Sequence, residues 1–132
     1  MSSPPANPPI SPVPAPGLDR QALARLQELD PDGRHGVVQR VLQAFETSLT
    51  RMLVQLQGEL GANHADVVAT VAHTLKSSSA SVGALSLSRA CAEVEAKLRG
   101  GDHAGLDRDI TRLISEGEAA LVAAGAILHP RA

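Results

Sequence analysis

The sequence predicts an all-α protein: an antiparallel, up-down four-helix bundle with a short helix leading into it. Three observations carry that prediction. The 132 residues include 21 Ala and 17 Leu but one Phe and no Tyr or Trp, a composition rich in helix formers and poor in the aromatics that favour strands. From Leu18 onward, apolar residues recur at the helical spacings of three and four. Predicted turns of two to four residues separate the four longer runs, which forces antiparallel neighbours.

The elements follow in chain order. Seven of the nine prolines lie in the first 16 residues, so residues 1–17 are expected to be a proline-rich linker or tail. The bundle domain is then residues 18–128. Asp19 can cap a short helix carrying Leu23, Leu26 and Leu29, ended by the turn Asp30-Pro31-Asp32-Gly33. The spacing next predicts a long amphipathic helix over about 35–60. Its stripe is Val38, Val41, Leu42, Phe45, Leu49, Met52, Leu53, Leu56 and Leu60. After the break at Gly61-Ala62-Asn63, a third helix is predicted over about 64–81. The fourth, about 84–99, carries Leu87, Cys91, Val94 and Leu98. Gly100-Gly101-Asp102 is expected to close it and cap the fifth, whose stripe is Leu106, Ile110, Leu113, Ile114 and Leu121. Residues 126–132 are expected to fray.

Several function classes drop out on composition. A net charge of -2 supplies no basic field for nucleic acid or for direct contact with an anionic membrane, and stacking platforms for single strands are missing. The lone Cys91 has no intramolecular disulfide partner. The N-terminal stretch lacks the basic start and apolar core of a secretory signal. A cytoplasmic protein is expected.

The third helix departs from a plain amphipathic pattern. At 100° per residue, Val67, Val68, Val71, Leu75 and Val82 share a face centred at about 60°, counting from Val67. His73 falls at about 240°, opposite that face. Around it on the helix surface lie Ala69, Ser77 and Ala80, all small, and Lys76 three residues on. Imidazole titrates near neutral pH, and its neutral form is a nucleophile. A phosphoryl group on its outer nitrogen would carry close to two negative charges, part of which a nearby Lys would offset. Small neighbours would leave room for a partner's active site.

Those residues resemble a family. The segment AHTLKSSSASVGALSLSRACAEVE, Ala72 to Glu95, is similar to the signature of bacterial histidine-containing phosphotransfer domains. That signature reads H-x-L-K-G-[SA]-[SA]-x-x-x-G-A-x-x-L-x-x-x-C-x-x-[LI]-E. His73 stands at the phosphoacceptor, Leu75 at the core leucine and Lys76 at the phosphate-proximal lysine. Ser78 and Ser79 match the small pair, Gly83 and Ala84 the turn, and Leu87, Cys91 and Glu95 the next helix, with Val94 standing at the [LI] position. The resemblance implies that Glu95 contacts the other imidazole nitrogen and orients the ring. One departure is Ser77, where the family has Gly for clearance of the incoming partner.

The resemblance implies a relay rather than a kinase. A phosphoryl group would reach His73 from an aspartyl phosphate on the receiver domain of a hybrid sensor kinase and leave for an aspartate on a response regulator. The chain has no Gly-rich phosphate loop. No cofactor of its own is implied; Mg²⁺ is expected on the receiver. Ala69, Ser77 and Ala80 are the expected docking surface, extended by the first two helices, and a monomer is expected. The alternative reading is a helical adaptor that binds receivers without accepting phosphate, with a helical metalloprotein a more distant one.

The remaining candidates have plain readings. His35, His64 and His103 fall near predicted helix starts, and the five histidines show no metal-ligand spacing. Cys91 shares the apolar stripe of Leu87, Val94 and Leu98, as a buried small residue would. Glu93, Lys97, Asp107, Arg108 and Asp109 read as a solvated charged surface. Arg99, one turn past Glu95, reads either as part of that surface or as a neighbour of the phosphate.

Overall fold

The computed structural model describes residues 17–130, all helix and turn. The expected proline-rich segment lies outside the described residues, except for Gly17. Five helices follow one another: α1 (Arg20–Glu28), α2 (Val37–Gly58), α3 (Ala65–Ser81), α4 (Leu85–Arg99) and α5 (Leu106–Leu128). α2 packs on α3, α3 on α4, α4 on α5 and α5 on α2, with α1 against α2. That closed ring is the predicted up-down bundle with its leading helix. Among the described residues, no helix is long and apolar enough to cross a membrane.

The core follows the stripes. α2 buries Leu42, Phe45, Leu49, Leu53 and Leu56, facing Ile110 and Leu113 of α5 and Val68, Leu75, Leu87, Val94 and Leu98 of α3 and α4. Full burial of a leucine is worth roughly 1.5–3 kcal/mol, so this single cluster dominates the stability of the domain. Three predicted stripe residues are outside it: Leu26 is half-buried, and two are exposed. Leu60 is exposed because α2 ends at Gly58, before its predicted end, and the chain turns out of register. Leu29 lies beyond the last turn of α1, also exposed.

Polar groups set the ends of the helices, not always as the sequence suggests. Asp19 caps α1, its Oδ2 accepting from the Ala22 N–H at 3.1 Å. Asp30 does more than turn the chain: its buried carboxylate accepts from the N–H groups of His35 and Val37, at 3.0 and 3.3 Å, and so caps α2 from a distance. Burial pushes its pKa up, but the backbone bonds from His35 and Val37 and the nearby imidazole outweigh that and leave it lowered.

The α4–α5 connection corrects another expectation. Asp102 does not cap α5. The N-cap is Gly105, and the Asp102 Oδ1 accepts from the Ala104 N–H within the turn. Lys97, read as a solvated charge, is half-buried and spans this turn, donating to the Ala104 carbonyl and to Asp109 Oδ2 at 2.8 Å. Asp107 is likewise structural, accepting from the Gly61 N–H at 2.9 Å. The connection runs from Gly100 to Gly105, longer than predicted, because these bonds satisfy its backbone. At the other end, α5 remains helical through Leu128, whose side chain packs on the core, so fraying does not begin at residue 126.

Candidate functional site

α3 and α4 share the most extensive interface of the bundle, and it is built from small side chains. Ala69, Ala72 and Ser79 of α3 and Ala90 and Cys91 of α4 are all buried, which lets two helices approach closely. Gly83 makes the turn between them. Its φ is 82°, and a Cβ there would lie 2.6 Å from the Asp19 backbone nitrogen.

The buried face of α3 is broader than the valine stripe. Ala65, Val68, Ala69, Val71, Ala72, Leu75, Ser79 and Val82 are buried, while Val67 is only half-buried. The face is therefore centred at about 110° rather than 60°, with His73 at about 130° from it rather than opposite. The imidazole sits on a flank, still 61% exposed, and within reach of α4. The same rotation buries Ala69, so it cannot contribute to an exposed docking surface as expected; the alanine turns toward α4. The surface around His73 is formed by Thr70, Thr74, Ser77 and Ala80, all exposed. The hydroxyls of Thr70 and Thr74 donate to the carbonyls of Asp66 and Thr70, so they fold onto their own helix rather than compete for the imidazole.

Glu95 joins the two helices. It follows Cys91 by four residues and precedes Leu98 by three, which places it at the edge of the apolar stripe, 8% exposed. A carboxylate in that position requires partners, and it has three. His73 Nδ1 lies 2.9 Å from Oε2, Lys76 Nζ donates to Oε1 at 2.7 Å, and Arg99 Nε donates to Oε2 at 3.0 Å. The Lys76 and Arg99 bonds, helped by His73, outweigh burial and pull the Glu95 carboxyl down to about 2.

That ionisation fixes the chemistry of the ring. An ionised carboxylate only accepts hydrogen bonds, so Nδ1 must be the N–H donor. In the neutral imidazole, Nε2 then carries the free lone pair and faces outward. The tautomer follows from the network rather than from visible hydrogens. Lys76 is 38% exposed, and the Ser88 hydroxyl bonds the carbonyl of the same residue at 2.9 Å, tying α4 to the site's backbone. A groove of about 390 Å³ runs between α2 and α3, lined by Met52, Gln55, Asp66, Thr70, Val71 and Thr74 among others.

The structure thus brings His73, Lys76, Glu95 and Arg99 together, and places Ser77 and Ala80 on the open surface near them. Sequence reasoning left Arg99 between two readings; its i, i+4 spacing from Glu95 was the signal for the pair now seen. Ser88 carried no comparable signal, since its partner is a backbone carbonyl on another helix. Cys91 is buried, and burial with the nearby Glu95 charge raises its thiol to about 12, an inert group. His64 pairs with Glu59, and His103 Nε2 lies 3.2 Å from the Leu98 carbonyl. Among the described residues, no three His, Cys, Asp or Glu side chains converge to hold a metal ion.

Comparison with known proteins gives the same direction. The sequence model of the Hpt domain matches residues 40–124, well over half of the chain. Among solved structures, the chain is similar to histidine-containing phosphotransfer protein B (HptB) from Pseudomonas aeruginosa PAO1. The TM-score is 0.74 at 26% identity, covering 89% of this chain and 99% of that one. Among curated proteins, none matches. A bundle of this topology, with a histidine held on its third helix by a carboxylate from the fourth, agrees with that match across the domain, and the chain belongs to the Hpt domain family.

Proposed function

We propose that this protein is a relay intermediate in which His73 accepts a phosphoryl group from a receiver-domain aspartate and passes it to the aspartate of a second receiver. The observation that carries the reading is the Glu95 contact. It holds the imidazole by Nδ1 and leaves Nε2, the lone-pair nitrogen of the neutral ring, open to a partner. Family membership supports a histidine phosphotransfer role, and the similar HptB carries that role in its name.

The division of labour follows from what this chain supplies. Phosphoryl transfer depends mostly on alignment and charge neutralisation. Glu95 aligns the nucleophile, and Lys76, one turn from His73, supplies a cation. Mg²⁺ and acidic residues belong to the receivers, of which the donor is part of a hybrid sensor kinase and the acceptor part of a response regulator. The exposed small residues Ser77 and Ala80 give the receiver clearance, and the groove between α2 and α3 extends the docking face. We place this reaction in the cytoplasm and assign it to a monomer.

Incubation with a phosphorylated receiver and Mg²⁺ tests the reading. Wild-type protein should gain an acid-labile phosphoryl group while His73→Gln, with unchanged helical circular dichroism, gains none. Binding without transfer by the wild type would instead identify a silent adaptor, and equal labelling of His73→Gln would remove His73 from its role.

A further inference from the structure

Arg99 is the member of the charged cluster whose purpose the transfer reading leaves open. Its Nε donates to Glu95 Oε2, the same oxygen that meets His73 Nδ1, whereas Lys76 holds Oε1. The two cations differ in where they stand. Lys76 is on α3, three residues from His73, so its ammonium can swing to the Nε2 side of the ring. Arg99 is on α4, four residues past Glu95, and reaches the carboxylate along its own helix.

This difference matters when phosphate arrives. The Nε2 lone pair forms the N–P bond as the P–O bond to the receiver's aspartate breaks, and that electron pair leaves with the aspartate carboxylate. The ring keeps its Nδ1 proton and becomes a cation, so the Glu95 charge must stay beside it. A phosphoryl group on Nε2 competes with Glu95 for Lys76. Without Arg99, the nearly buried carboxylate would lose its side-chain cation as Lys76 turned away and would be left with the phosphorylated ring alone. Arg99 removes that problem, because its planar, permanently charged guanidinium stays on Oε2 when the lysine departs.

We infer that Arg99 is a positioning residue for the transfer, keeping Glu95 on the imidazole while Lys76 turns to the phosphoryl group. The inference rests on His73 as phosphoacceptor. Arg99 is also the last residue of α4, where any cation favours the helix dipole, so the test must separate the two roles.

Phosphoramidate, a small donor that needs no receiver, labels the intact protein for this purpose. In unphosphorylated Arg99→Gln, the ¹⁵N shift of His73 Nδ1 should stay near wild type, because Lys76 still holds Glu95. In the phosphorylated variant that shift should move, and the phosphohistidine lifetime should fall roughly tenfold, by analogy with the loss when an outer partner of a metal-bound histidine is removed. Arg99→Lys should restore most of the lifetime. A folded Arg99→Gln whose lifetime stays within about twofold of wild type, below the range expected for such a partner, would overturn the inference while leaving the phosphotransfer reading intact. An Nδ1 shift already displaced in the unphosphorylated variant would also overturn it, by showing a purely structural role. Wild-type protein that takes no phosphate from phosphoramidate would overturn both.

Discussion

Gly83→Ala perturbs the one backbone junction on which the α3–α4 pair and the leading helix both depend. Gly83 has φ 82°, and its carbonyl accepts from the Asp19 N–H at 2.8 Å. An added Cβ would lie 2.6 Å from the Asp19 nitrogen and 2.9 Å from its carbonyl oxygen. Both are backbone atoms, so no side-chain rotation relieves the contact. The left-handed conformation costs an alanine about 1–2 kcal/mol. Separation of the two segments forfeits the Asp19–Gly83 bond, worth about 0.5–1.5 kcal/mol. Together these predict a loss of about 1.5–3.5 kcal/mol. For a domain of this size that is a fall in Tm of about 6–14 °C, read by circular dichroism at the helical minimum. Gly83→Asn separates the contributions, since Asn tolerates the left-handed region better but brings the same Cβ. It should lose less than Ala yet remain clearly destabilised. A Tm loss below about 3 °C for Gly83→Ala, under 1 kcal/mol on the same scale, would refute the reasoning.

Three further outcomes follow from the same geometry. Asp30→Ala should lower Tm by a few degrees without affecting phosphotransfer, because it uncaps α2 far from His73; an unchanged Tm would show the His35 and Val37 bonds to be dispensable. Glu95 has a folded pKa of about 2 against an ordinary 4.5, so its stabilising contribution is complete above about 4.5 and is lost as pH falls toward 2. Glu95→Gln should flatten that part of the Tm–pH curve, and an identical curve would contradict the assigned ion pairs. Ser77→Trp should slow transfer from a phosphorylated receiver on the order of a hundredfold, the cost of about 1 Å of misplacement. Its labelling by phosphoramidate should be unchanged, and unaltered receiver transfer would remove the clearance role of Ser77.

The bundle was legible in the sequence because each helix carries a continuous apolar stripe, and Leu42 through Leu56 or Ile110 with Leu113 can face only inward. His73, Lys76 and Glu95 were legible too, through helical spacing for the first two and through family resemblance for the third. What escaped depended on contacts between small or polar groups. The alanines and Ser79 that rotate the buried face of α3 have little hydrophobic signal, so Ala69 was assigned to the surface it does not reach. Asp30, Lys97 and Asp107 looked like ordinary turn or surface charges, and Asp102 like a helix cap, because most of their partners are backbone groups whose positions only the fold creates. The same holds for the Ser88 bond to the Lys76 carbonyl. Arg99 had a local clue in its spacing from Glu95, but the shared oxygen that gives the pair its meaning comes from a third side chain on α3.

The most direct test of the central claim is the site of phosphorylation on the imidazole. Nuclear magnetic resonance of ¹⁵N-histidine-labelled protein, phosphorylated by a receiver, reads the ³¹P–¹⁵N coupling ring by ring and nitrogen by nitrogen. A single phosphorylated histidine, His73, is expected, with phosphorus on Nε2 and the proton retained on Nδ1 beside Glu95. Phosphorus on Nδ1, or on any of His35, His64, His103 or His129, would contradict it.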